Sequence, residues 1–242
     1  MKILAIDSSG LVASAAIWEG ASASVTGTIL ATASTDYKKT HSQTLLPMID
    51  RICKDTDSDP KSFDAVAVAA GPGSFTGLRI GSATAKAIAM AADIPIVEIP
   101  TLEGLAFNLW GAGRAVCPMM DARRNQVYSG LYGFEDDELI TYRDQEALAL
   151  EDMLSFINDL GRDVIFLGDG ADAYHERICE GTKVKYSFAP AHLNRQNAAS
   201  LAAMGARMYG AGRYVNADDH SPVYLRVSQA EREGTKNFDL VG

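Results

Sequence analysis

A chain of 242 residues, 47% of them apolar, is long enough to bury a large core, either as one elongated domain or as two lobes. A formal net charge of −9 and an isoelectric point near 4.9 give a surface that repels nucleic-acid phosphates and anionic membranes over much of its area. That balance argues against a chain that binds RNA by itself and leaves room only for a local basic patch.

The amino terminus reaches Asp7 after the short apolar run Ile3–Ile6. That run is too short for a signal peptide, and no later one is long enough to span a bilayer, so a cytoplasmic protein is expected. Ile3–Ile6 itself reads as a strand buried on both faces, ended by the turn Asp7-Ser8-Ser9-Gly10. Val12 to Trp18 and Ser24 to Ala33 follow as two more strands of an antiparallel meander. Thr40-His41-Ser42-Gln43 then precedes Leu45, Leu46, Ile49, Ile52 and Cys53, whose spacing predicts a helix with one apolar face. Asp64 to Ala70 reads as a strand, Thr76 to Ala92 as a helix and Pro95 to Ile99 as a strand, in the order βββαβαβ.

The second half repeats this pattern in weaker form. AVCPMMDARRNQVYSGLYGF is again an apolar strand ended by an aspartate, a polar turn and a second strand, and VIFLGDGAD is again a strand entering a glycine loop. Two lobes of related topology follow, residues 1–100 and 101–242. Residues from Glu231 onward read as a frayed tail. The cysteines Cys53, Cys117 and Cys179 form no CxxC pair and suit a reducing compartment as buried thiols. His41, His175, His192 and His220 are scattered, so no metal site is expected.

The densest signal is AGPGSFTGLRIGSATAKAIAMAA, Ala70 to Ala92. It fails as a Walker loop, since Gly71 is followed five residues later by Thr76 and no Gly-Lys pair closes the loop. Neither GxGxxG nor the GxSxG nucleophile elbow fits around Ser74. What remains is the general attraction of turn amides at a helix amino terminus for an anion. Along the helix, Gly77, Gly81, Ala85 and Ala89 recur every fourth residue as a smooth ridge. Glycine inside a helix costs about 1 kcal/mol relative to alanine, and close approach of another backbone offsets it. The ridge suits packing within the chain's own core and packing against a partner's helix equally well. His41 reads as a packing or capping residue, and Lys86 as a solvated charge. Asp121 with Arg123 and Arg124 forms either a salt-bridged turn or a partner contact.

In order along the chain, ILAIDSS, HSQTLLPMID, AGPGSFTGLRIG, DARRNQVYSGLY and PVYLR resemble the TsaB (YeaZ) family, the dimerisation subunit of the bacterial machinery that makes threonylcarbamoyladenosine in tRNA. The resemblance implies an α/β fold of two ribonuclease H-like lobes, mixed sheets flanked by helices, within the sugar kinase, heat-shock ATPase and actin superfamily. PVYLR belongs to the second lobe by position, and packing back on the first is an alternative. The catalytic relative, TsaD, carries an HMEGH metal motif where this chain reads Thr101-Leu102-Glu103-Gly104-Leu105. Threonine and leucine cannot replace imidazole ligands at positions 101 and 105, so a non-catalytic pseudo-enzyme is implied.

The resemblance further implies a scaffold that binds and activates a TsaD-like subunit and recruits a TsaE-like ATPase. The partner contacts would come from two helices, through His41, Leu45, Leu46 and Ile49 on one and Gly77, Gly81, Ala85 and Ala89 on the other. Alone, the same surface would pair with itself as a homodimer. No tightly bound cofactor is expected, with ATP or ADP confined to the complex interface, and tRNA reached only through the complex. Asp7, Ser8, Gly71 and Gly73 are the candidate anion or nucleotide contacts. Asp7 stands where kinases of the superfamily place a magnesium-associated aspartate, but accepting bonds from the turn amides is the favoured role, since a phosphotransferase would also need a catalytic base and clear nucleotide loops. A small-molecule kinase or ATPase is the alternative, with Asp7 as its test, and a metal-dependent peptidase has no motif to support it.

Overall fold

The computed structural model describes residues 1–21, 26–37 and 40–225. The first sheet contains β1 (Lys2–Asp7), β2 (Ala13–Gly20), β3 (Gly27–Thr35), β4 (Ala65–Gly71) and β5 (Ile96–Pro100), in the order β3-β2-β1-β4-β5. β1 pairs antiparallel with β2 and parallel with β4, so it sits at the centre of the sheet. The third strand runs to Thr35 rather than stopping at Ala33, and Ser24 and Val25 of its expected start lie outside the described residues.

Two helices, α1 (His41–Asp55) and α2 (Phe75–Ala92), cover one face of this sheet. Leu45, Ile49 and Ile52 of α1 and Ala85 and Ala89 of α2 join Leu4, Ile6, Val66 and Val68 in one core. Ile3 and Ala5 point the other way, into a second core. This two-sided burial is why the β1 sequence is an unbroken apolar run instead of an alternation.

After α3 (Thr101–Ala106) comes the second sheet. Its strands are β6 (Ala115–Asp121), β7 (Gln126–Glu135), β8 (Glu138–Ala149), β9 (Val164–Leu167) and β10 (Tyr186–Phe188). Their order, β10-β9-β6-β7-β8, reproduces that of the first sheet: an antiparallel meander on one side of the leading strand and parallel strands on the other. The weak repeat in the sequence is a repeat of topology. α4 (Leu150–Leu160), α5 (Asp169–Ala173) and α6 (His175–Gly181) connect its strands.

The sheets divide near residue 100, but the chain after them does not stay in the second lobe. α7 (Ala198–Gly210) lays Leu201, Ala202 and Met204 on the outer face of the first sheet, with Gly205 against Ala67. Residues 215–225 then run along the edge of that sheet. Val215 exchanges two backbone hydrogen bonds of 2.9 Å with Ile96, and the Val223 amide donates to the Ala70 carbonyl at 2.7 Å. The return therefore begins well before PVYLR. The tail expected from Glu231 lies outside the described residues.

Candidate functional site

α2 is held hard against β1 and its turn. The Ser8 hydroxyl donates to the Gly77 carbonyl at 2.9 Å, and the space a Gly77 side chain would need is taken by the Ser8 carbonyl. A Cβ on Gly81 would stand 2.5 Å from Ser8 Oγ. Ala85 and Ala89 are fully buried in the same line. The small-residue ridge is therefore an internal packing surface, which corrects the expectation that Gly77, Gly81, Ala85 and Ala89 meet a partner. Leu45 is likewise a core residue, while Ile49, packed in the same core, also lines the groove on the outer side of α1. His41 is half-buried, and its Nε2 donates to the Gly10 carbonyl at 2.8 Å, tying the start of α1 to the turn after β1.

The outward face of the helix pair is a different set of side chains. Leu46 on α1 is 60% exposed and Met90 on α2 is 59% exposed. Ala83 and Ala87 are exposed at helical spacing beside them. Between α1, Ile88 of α2 and the loop 57–60 runs a groove of about 560 Å³. Leu46 and Ile88 border this groove, whereas Met90 borders a separate hollow beside residues 216–219; exposed apolar side chains on adjoining helices suit a contact surface.

The second candidate region lies between the lobes, where each sheet presents an aspartate at the end of its leading strand. A cleft of about 470 Å³ is lined by Ser9 and Gly10 from the first lobe, Gly73 and Ser74 before α2, and Asp121, Arg123 and Asp169 from the second. Asp7, just behind it, is 1% exposed. Its Oδ1 accepts from the Ser9 amide at 2.9 Å and the Ser9 hydroxyl at 2.6 Å, while Oδ2 has no partner among the described residues. Burial pushes the Asp7 carboxyl up to about 6, against the opposing pull of the Ser9 bonds and of His41. Asp121 accepts from the Arg123 amide at 2.8 Å and from the Tyr174 hydroxyl at 3.3 Å. Arg123 and Arg124 both adopt the left-handed conformation, so the Asp121 turn is a tight one closed mainly by its own backbone. Burial also pushes the Asp169 carboxyl up.

The glycine loop between these carboxylates is largely spoken for by the protein. The Gly71 amide donates to Thr101 Oγ1 at 3.1 Å, the Ser74 amide to the Ser9 carbonyl at 2.7 Å and the Gly77 amide to Ser74 Oγ at 3.3 Å. Gly71, at φ 120°, is pressed against the Val223 carbonyl, and Gly73 against the Ser9 carbonyl. The glycines therefore serve close backbone approach, with three loop amides already engaged. Ser8, with its hydroxyl on Gly77, faces inward as well. Thr101 is fully buried as the acceptor for Gly71, and Leu105 is packed with Val116 and Leu167.

Some placements were not visible beforehand. Lys86 is half-buried rather than solvated, donating from Nζ to the Asp218 and His220 carbonyls, each at 3.1 Å. His220 is 3% exposed and bonds Glu98 at 2.6 Å through Nδ1. Only the apolar character of positions 215 and 223 hinted at this return to the first sheet.

Residues 28–233 match the family described as TsaD: tRNA N6-adenosine threonylcarbamoyltransferase. The chain is 34% identical over 235 residues to the tRNA threonylcarbamoyladenosine biosynthesis protein TsaB of Bacillus subtilis (strain 168), covering 96% of each. It is 28% identical over 234 residues to the protein of the same name from Escherichia coli (strain K12), covering 95% of this chain and 96% of that one. Among solved structures, YeaZ from Pseudomonas aeruginosa overlays with a TM-score of 0.75 at 26% identity, across 93% of this chain and 100% of that one.

Proposed function

The chain belongs to the TsaB (YeaZ) family, and on that premise we propose that it acts in tRNA threonylcarbamoyladenosine biosynthesis as a non-catalytic subunit that binds and activates a TsaD-type transferase. The observation that carries this reading is the outward apolar face of α1 and α2, with Leu46 and Met90 each about 60% exposed. Covering the remaining exposed part of a side chain such as Leu46 contributes about 1–2 kcal/mol, which rewards a partner with a matching helix pair. Internal use of the small-residue ridge strengthens the reading, because it sets the two helices rigidly on the sheet and fixes which side chains look outward.

The interior at Thr101 and Leu105 suits support rather than chemistry. Threonine and leucine there offer no imidazole to a metal, and both are committed to the chain's own packing. In this reading tRNA is contacted through the partner, which accords with the acidic surface, and a TsaE-like ATPase joins the same assembly. Adenine nucleotide, if the assembly uses it at this contact, sits at the interface between subunits. The chain alone would cover the same face by pairing with a second copy. Its place of work is the cytoplasm, with its tRNA; among the described residues no helix is long and apolar enough to cross a membrane.

Light scattering on a size-exclusion column, with the chain alone and then mixed with the TsaD of the same genome, tests the proposal. The expected result is a heterodimer peak, lost in Leu46→Asp while the variant keeps its circular dichroism and thermal midpoint. A charge placed in a desolvated contact should weaken association about a hundredfold or more. No complex, with or without ATP and TsaE, would overturn the scaffold reading and reopen independent chemistry at Asp7.

A further inference from the structure

One arginine stands at the end of the outward face of α2. Thr76, Arg79, Ala83, Ala87 and Met90 are exposed at spacings of three and four residues, so they form a single stripe along the helix. The carboxy-terminal part of the stripe is small and apolar, and its amino-terminal end carries Arg79. This arginine is not a loose surface side chain. Its guanidinium lies 3.9 Å over the Phe75 ring, and its Nε donates to the Tyr224 hydroxyl at 3.4 Å. Tyr224 packs on Phe75 in turn, with ring centroids 4.9 Å apart, and the Val223 amide latches this segment to the Ala70 carbonyl at 2.7 Å.

The other arginines show what is missing. Among the described residues, five arginines lie over an aromatic ring. Four of them, Arg143, Arg162, Arg177 and Arg207, also bridge to a glutamate of the chain. Arg79 is the fifth, and it has no carboxylate partner among the described residues. Its Nε is engaged by Tyr224, while the two terminal nitrogens have no acceptor there and keep the planar fork that suits a carboxylate.

We propose that Arg79 is the charged anchor of the partner contact, receiving the carboxylate of an aspartate or glutamate on the subunit that docks against α1 and α2. The proposal rests on the partner reading and adds to it the chemistry of one contact. A guanidinium already held between a ring and a hydroxyl loses little further freedom when it pairs. Arginine and tyrosine are also enriched among the residues that dominate protein interfaces. A nucleic-acid phosphate suits the position less well, because a phosphate backbone is held by several cations together. Lys86, the other cation of α2, is occupied by the Asp218 and His220 carbonyls, and the chain as a whole carries a net charge of −9.

Calorimetric titration of the full chain with the TsaD of the same genome is the test. Arg79→Met keeps the stem over Phe75 and should weaken the heterodimer about ten- to a hundredfold, the loss expected for a charge-assisted pair. The thermal midpoint of the isolated variant should stay unchanged. Arg79→Lys should recover only part of the affinity, since an ammonium lacks the planar fork. Raising the salt from about 0.1 M to about 0.5 M should weaken binding by the unaltered chain, and weaken it more than binding by Arg79→Met. Equal affinity of Arg79→Met and the unaltered chain would overturn the proposal and leave the partner reading standing, whereas no heterodimer with the unaltered chain would remove both. Unchanged affinity with a lower thermal midpoint would give the guanidinium to a carboxylate of the chain itself. Unchanged affinity with weaker tRNA retention by the assembled complex would give it to a phosphate, and either result overturns the proposal. So would an affinity of the unaltered chain that does not fall with salt, a measurement that needs no variant to fold.

Discussion

Replacing Asp7 by asparagine should make the chain more stable at neutral pH, although Asp7 sits at the centre of the first lobe. Its Oδ1 accepts both Ser9 bonds, Oδ2 accepts none, and burial raises the carboxyl from the ordinary 3.8 to about 6. The folded state therefore holds this proton more tightly than the unfolded chain does. The favourable contribution is complete below pH 3.8 and is lost as pH rises through about 6. At about 1.4 kcal/mol per pH unit, that interval amounts to a loss of about 3 kcal/mol by neutral pH. Asparagine keeps an oxygen for the two Ser9 donors and carries no charge, while its amide hydrogens go unpaired at a cost of about 1 kcal/mol. The net gain near pH 7 is then about 2 kcal/mol. Urea unfolding of both proteins at several pH values between about 4 and 7.5 measures the difference directly, and contributions from all other groups cancel. The difference should move in favour of the variant by about 2 kcal/mol between pH 4 and pH 6 and level off above about pH 7. A flat difference, or one that moves against the variant as pH rises, would refute the argument that Asp7 is a desolvated and incompletely matched carboxylate.

Gly81→Leu should destabilise the monomer by about 1–3 kcal/mol or more, because its Cβ would stand 2.5 Å from Ser8 Oγ and the rest of the side chain has nowhere to go. A stable Gly81→Leu chain that merely failed to associate would return the ridge to the partner interface. Thr101→Val, similar in shape, leaves the buried Gly71 amide without its acceptor and should cost about 1–3 kcal/mol in chemical denaturation; an unchanged midpoint would mean that this bond contributes nothing. Leu46→Asp, by contrast, should leave the denaturation midpoint of the isolated chain nearly unchanged, since surface substitutions usually fall within about 0.5 kcal/mol. A large loss there would mean that Leu46 supports the chain's own core.

Much of the site region was legible in advance. The ILAID run, the helix spacing at Leu45, Ile49 and Ile52, and the strand–glycine loop–helix unit each lie within a short contiguous segment, where periodicity and turn chemistry declare the element. The Asp7 and Asp121 strand ends showed the repeat for the same reason. The direction in which α2 turns its small residues was not legible. A row of glycine and alanine is satisfied by any backbone that comes close, and the sequence offered both the chain's own sheet and a partner.

Ser8, sixty-nine residues before Gly77, decided that question. Lys86 shows the same limit, since the carbonyls that hold it belong to a segment more than 130 residues further on. Elements follow from neighbouring residues, because hydrogen-bond ladders and side-chain periodicity are local. Which face meets which, and which charge is left without a partner, follows only once distant segments compete for the same space.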